Sequence, residues 1–172
     1  MKRVGAYLGK FYPPHIGHLW VVDSLVDGFD ELYIIISKND IRIQEIFEKD
    51  GFEILDAKLI KEWFKKHYKH NKKIKVEIFD ETSLKPYPED QDKWAEKFKK
   101  QFPFINVKIA DESYRAYNQK YFPELEFLAI PRDVINIHST QIRQDLKNNM
   151  KYLIPTAKKY FKNKEKNYEH RI

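Results

Sequence analysis

Two histidines three residues apart, His15 and His18, enclose Ile16 and Gly17 at the end of the stretch Gly9-Lys10-Phe11-Tyr12-Pro13-Pro14-His15-Ile16-Gly17-His18. Imidazoles offer directional N–H donors and Lys10 a full positive charge. Two of the five glycines also fall here, where a backbone must approach something closely. If a helix starts at the second half of the stretch, its free N–H groups and positive dipole end join the same field. The chemistry this set serves is the holding of phosphate. Two common phosphate patterns do not fit. A P-loop would need glycine at position 4, which is Val4, and Ser or Thr where Phe11 follows the lysine, and no GxGxxG is present.

A second stretch, Ile137-His138-Ser139-Thr140-Gln141-Ile142-Arg143, has the same character. Ser139 or Thr140 can cap a helix, and Arg143 then lies one turn in, on the face of the first N–H groups, where a forked contact to a second phosphate is within its reach. Alone, this is an ordinary capped helix with an exposed arginine. Its weight comes from its pairing with the first stretch.

The elements that must position these residues alternate along the chain. Val4–Leu8, Glu31–Ser37, Lys75–Phe79, Asn106–Ile109 and Glu126–Ile130 read as strands, the second a continuous apolar run of the buried parallel kind. Between them, helical spacing relates Leu19, Val22, Leu25 and Val26; then Leu55, Leu59, Trp63 and His67; then Trp94, Phe98 and Phe102; and more weakly Tyr114, Tyr117 and Tyr121. A helix is expected from Ser139, carrying Ile142 and Leu146, and a last one from Pro155 to Phe161. The pattern predicts an α/β fold: a Rossmann-like, doubly wound parallel sheet with helices on both faces. One domain is expected over residues 1–162, with 163–172 a polar, frayed tail. Ligands in such sheets bind at the carboxyl ends of the strands, so the loops after Leu8, Ile36 and Ile130 are the places to search. Trp20 and Trp63 fit core faces.

With 172 residues, the chain is long enough to bury a core unaided. Hydrophobic content of 42% and aromatic content of 15% exclude a disordered chain. The absence of cysteine excludes a disulfide scaffold, a thiolate zinc site and a cysteine nucleophile. His67 and His70 lie in a lysine-rich helix end with no third ligand nearby, so no metal site is read there. The longest apolar run, Leu32 to Ile36, is too short for a bilayer, and no apolar leader precedes Val4, so no membrane partner and a cytoplasmic location are expected. A net charge of +6 suits anionic partners, nucleotide or nucleic acid. Acidic residues interspersed along most basic stretches argue against nucleic acid.

The two stretches together resemble the HxGH and ISTxIR-like signatures of the nucleotidylyltransferase superfamily. Thr82 to Trp94, Ala110-Asp111-Glu112-Ser113-Tyr114, Ile130-Pro131-Arg132 and Tyr152-Leu153-Ile154-Pro155-Thr156 are similar to the adenylyltransferase domain of the NadR type of nicotinamide mononucleotide adenylyltransferase. That resemblance implies the HxGH nucleotidylyltransferase fold and the reaction of ATP with nicotinamide mononucleotide to give NAD and pyrophosphate. It assigns His15, His18, Lys10 and Arg143 to catalysis. ATP would be bound by Gly9, Lys10, Phe11, His15, Gly17, His18, Ile137, Ser139, Thr140 and Arg143. Trp94 and Tyr87 are the aromatic candidates for the nicotinamide ring, an ordinary core stripe being the other reading of Trp94, and Arg132 is a candidate for a nucleotide phosphate. Mg²⁺ would be carried mainly by the ATP phosphates, with no protein metal ligands; a homo-oligomer is left open. Two positions depart from the family pattern: Lys58 stands where an arginine is usual, and His138 where a serine is usual. The kinase and DNA-binding domains of NadR-type proteins do not fit in this length and their functions are not carried over.

Two other readings stay in view. His15-Ile16-Gly17-His18 also spells the signature of class I aminoacyl-tRNA synthetases, but no KMSKS lysine loop accompanies it. Sister enzymes acting on phosphopantetheine or glycerol 3-phosphate share the nucleotide loop.

Overall fold

The computed structural model describes residues 1–131 and 136–169. Five strands run through it: β1 (Val4–Gly9), β2 (Glu31–Lys38), β3 (Ile74–Asp80), β4 (Val107–Asp111) and β5 (Glu126–Ile130). Each falls within one or two residues of its expected place. They form one sheet in the order β3-β2-β1-β4-β5, with every neighbouring pair parallel. The chain winds outward one way from β1 through β2 to β3, then crosses back to β4 and β5. The strand order therefore reverses between β1 and β4, which opens a crevice beyond their carboxyl ends.

Helices α1 (Ile16–Leu25), α2 (Asp40–Asp50), α3 (Ala57–His67), α4 (Gln91–Gln101), α5 (Arg115–Tyr121), α6 (Ser139–Gln144), α7 (Leu146–Asn149) and α8 (Pro155–Glu169) complete the order. Alternation along the strands divides the apolar residues into two cores. Ile34, Ile36, Val107 and Ile109 pack with Val22, Phe64 and Phe161 from α1, α3 and α8. Val4, Ala6, Ile35 and Phe79 pack on the other face with Phe98, Phe102 and Phe122 around α4 and α5. Both faces of the sheet are thus covered, as continuous apolar strands require.

Two differences from the sequence reading have clear causes. Helix α2 was not expected, because Ile46 is its one buried residue while Ile41 and Phe47 stay exposed, so no apolar stripe marks it. Its ends carry the signal instead: the Asn39 side chain accepts from Arg42 N–H, and Gly51 closes it at φ 64°. Residues 163–169, expected as a polar tail, continue α8, where Lys164 pairs with Glu53.

Candidate active site

The loop from Gly9 to His15 leaves β1 at the point where the strand order reverses. Gly9 is needed by close approach, since a Cβ there would meet the Phe11 ring at 3.1 Å. Phe11 itself takes φ 51°, an uncommon conformation for a bulky residue. The turn sends the Phe11 ring inward, edge-on to Phe64 and to the His18 ring. This corrects one expectation: Phe11, 3% exposed, is a packing residue and does not line the cavity.

At the start of α1 the two histidines cap the helix. His15 Nδ1 accepts from Gly17 N–H at 3.2 Å, and His18 Nδ1 accepts from His15 N–H at 3.0 Å. The rings stack with centroids 3.7 Å apart. With both Nδ1 atoms accepting, the proton of each neutral ring sits on Nε2, as a donor. Burial, and then the neighbouring His138, push His15 down to about 4; burial and then His15 hold His18 well below the usual imidazole range. Both side chains are neutral donors at physiological pH and relay the helix's positive end outward.

The second stretch meets the first. Ser139 Oγ donates to Pro13 C=O at 3.0 Å, and Arg143 Nη1 donates to Tyr12 C=O at 2.7 Å. Leu153 bridges to His15, and Ile154 N–H donates to Pro14 C=O at 3.3 Å. Residues separated by more than a hundred positions thus line one cavity of about 1270 Å³ across the ends of β1 and β4. Gly9, Lys10, His15, Gly17 and His18 line it from one side, with Ile137 and Ser139 beside them.

Arg143 is a correction. Its guanidinium is turned from the cavity: Nε donates to Asp50 at 2.9 Å, Nη1 to Tyr12 C=O, and Nη2 to Thr140 Oγ1 at 3.1 Å. The Arg143 and Asp50 side chains are only 10% and 5% exposed. Arg143 and Thr140 therefore form a clamp that holds the loop against α6 and α2, and neither lines the cavity. Arg132 lies outside the described residues.

The far wall of the cavity is aromatic. Trp94 and Tyr87 both line it, but differently. Tyr87 is 77% exposed. Trp94 is half-buried, stacked on Phe98 at an interplanar angle of 7°, and its Nε1 donates to Glu81 at 2.6 Å. It packs with the core stripe and also lines the cavity. Trp20, expected in the core, is exposed at the cavity rim instead. Glu81 was missed: its carboxylate accepts from Trp94 and from Ser37 Oγ at 2.7 Å. Lys108 was missed as well, although a lysine inside Val107-Lys108-Ile109-Ala110, a buried parallel strand, was a readable signal.

The neutral histidines set a pH dependence. Below about 6.5 the unfolded chain binds a proton at His15 that the folded chain refuses until about 4. Stability from this group is full above 6.5 and is lost as pH falls through that window, on the order of 3 kcal/mol. Thermal melts from pH 7 to 4 are expected to fall more steeply for the natural chain than for His15→Asn; parallel curves would show that His15 is not so perturbed.

No family model matches the chain. It is 28% identical to the trifunctional NAD biosynthesis/regulator protein NadR of Salmonella typhimurium, over 93% of this chain and 41% of that protein. The NadR of Escherichia coli gives 27% over the same shares. The chain thus spans about two-fifths of the length of the curated relatives it matches. Among solved structures, NadR in complex with NR superposes with a TM-score of 0.72 at 22% identity, covering 89% of this chain and 44% of that one. A bifunctional NMN adenylyltransferase/ADP ribose pyrophosphatase from Francisella tularensis, complexed with AMP and a manganese ion, gives 0.61 at 19% identity, over the same shares. The fold is therefore that of these solved structures.

Proposed function

We propose that this chain transfers an adenylyl group from ATP to nicotinamide mononucleotide, giving NAD and pyrophosphate. The observation that carries the reading is the meeting of the two stretches at one cavity, with a pair of neutral imidazole donors at a helix N-terminus and Lys10 beside them. The likeness to NadR proteins supports the choice of acceptor.

The chemistry asks for donors and cations, not for a nucleophile. A 5′-phosphate oxygen of the mononucleotide attacks the α-phosphorus of ATP in line; the new P–O bond forms as the bond to the β-phosphate oxygen breaks. The attacking phosphate is already ionised near neutral pH, so no general base is required. Catalysis is the positioning of two anions that repel, with stabilisation of charge growing on the α-phosphoryl and leaving oxygens. His18 and His15 donate from Nε2 to the triphosphate, His18 to the α-phosphoryl group, while Lys10 balances charge and Ser139 fixes the loop. The clamp of Arg143 and Thr140 sets the loop's position and does not touch phosphate. Among the described residues no three His, Cys, Asp or Glu gather to hold a metal. The substrate is ATP with Mg²⁺ on its own phosphates. No helix among the described residues is long and apolar enough to cross a membrane, and the cytoplasm, where ATP is abundant, is the setting that fits the reaction.

The test is direct. With Mg²⁺, ATP and nicotinamide mononucleotide, the protein is expected to form NAD and pyrophosphate in equal amounts, read by chromatography. Turnover of phosphopantetheine with ATP, or of glycerol 3-phosphate with CTP, without NAD formation would move the assignment to a sister enzyme.

A further inference from the structure

The donors at the phosphate end leave the carboxylate of Glu81 without a part in the reaction. Glu81 is the first residue beyond β3, and its backbone is held on both sides. Its N–H donates to Lys38 C=O at 2.8 Å, and its C=O accepts from Leu84 N–H at 2.9 Å. The first of these bonds carries the parallel pairing of β2 and β3 one residue past the strand end, next to the pair Ser37 and Phe79. The side chain therefore starts from a fixed point, and it lines the cavity.

Each carboxylate oxygen takes one donor. Oε1 accepts from Ser37 Oγ at 2.7 Å, and Oε2 from Trp94 Nε1 at 2.6 Å. Ser37 is 7% exposed and is itself fixed within β2. Three elements thus meet at one carboxylate: the end of β2, the turn after β3 and the first turn of α4. A carboxylate only accepts and an indole N–H only donates, so the bond between them has one sense.

Trp94 needs such a fastening. Among the described residues Phe98 alone is stacked parallel to it, while Phe79, Tyr117 and Phe122 meet it edge-on. Lys108 lies 5.2 Å from the ring centre, an attraction that acts through the face and does not fix the ring's rotation in its own plane. The bond at the indole edge supplies that fix. A flat ligand ring gains most from a wall already set in place, because ordering a loose side chain on binding costs affinity.

Resting on the function proposed above, we infer that Glu81 is a positioning residue for the acceptor: by holding Trp94 Nε1 it fixes the indole against which the nicotinamide ring of the mononucleotide lies. Its effect belongs to acceptor binding and not to the phosphate chemistry.

The experiment measures kcat, KM for nicotinamide mononucleotide and KM for MgATP in the natural protein, Glu81→Ala, Glu81→Gln, Trp94→Phe and the double variant of Glu81→Ala with Trp94→Phe. Glu81→Ala is expected to raise KM for the mononucleotide about tenfold, with kcat and KM for MgATP within about twofold of the natural values. Glu81→Gln still offers an acceptor to the indole and should recover to within about threefold. Phenylalanine has no N–H to hold, so Glu81→Ala added to Trp94→Phe should leave KM where Trp94→Phe alone puts it. Unchanged KM in Glu81→Ala, a loss that falls on kcat or MgATP, no recovery in Glu81→Gln, or full additivity with Trp94→Phe overturns the inference. If Glu81→Ala fails to fold, Glu81→Gln and Ser37→Ala decide it. Each should raise KM for the mononucleotide about two- to threefold and lose that effect beside Trp94→Phe. Should the natural protein form no NAD, the proposed function fails, and calorimetry with the mononucleotide decides this inference. Binding that Glu81→Ala weakens about tenfold would uphold it; equal binding, or none, would end it.

Discussion

His18→Asn is expected to lower kcat by about 10²–10³-fold, the usual cost of removing one preorganised donor to a developing phosphoryl or oxyanion charge. Asparagine is the informative replacement. Its Oδ1 can take the place of Nδ1 and still accept from His15 N–H, so the cap of α1 survives. What is withdrawn is the Nε2 donor, together with the ring's stack on His15 and its edge contact with Phe11. If that donor tightens its bond only as the α-phosphorus is attacked, the loss falls on kcat with little change in KM for ATP. Melting temperature should stay within a few degrees of the natural protein. Near-normal turnover in a folded His18→Asn protein would remove His18 from the chemistry. A rise in KM with kcat intact would reduce it to a binding contact.

The second large effect is on stability. Arg143→Met is expected to destabilise the fold by about 3–5 kcal/mol, because it leaves Asp50 as a buried charge with no partner and frees the Tyr12 carbonyl. For a chain of this size that is a fall of roughly 6–20 °C in melting temperature. Asp50→Leu together with Arg143→Met should recover much of the loss, since an apolar pair removes the orphaned charge. A phosphate-gripping arginine would behave in the opposite way, with the melting temperature held and KM for ATP raised. The two roles are thus separated by two measurements on one variant.

Much of the architecture was legible because the physics that marks it is local. The strand Glu31–Lys38 needs burial on both faces and therefore shows an unbroken apolar run, while α3 and α4 bury one stripe and show the helical period. Helix α2 escaped because one buried isoleucine makes no period. That the first stretch would line the cavity was legible for a different reason: glycine, lysine and paired histidines at a strand-to-helix turn have few purposes in common. Arg143 was misread because type and spacing do not reveal which partner a guanidinium will find. Asp50, which takes it, lies ninety-three positions away at the end of the helix that was missed. Trp20 was misread because its helix has a broad apolar surface, and one side of it faces the cavity instead of the core. Lys108 hid in plain view, since a strand pattern is judged by its apolar members.

The bonds from Ser139, Arg143 and Ile154 to the carbonyls of Pro13, Tyr12 and Pro14 set an order of events during synthesis. The histidine loop is translated first, and the groups that fasten it follow more than a hundred residues later. A nascent polypeptide stalled before residue 137 carries the histidine loop without the groups that fasten it. Adding the missing carboxyl-terminal peptide to such a fragment would be the way to watch the fastening form.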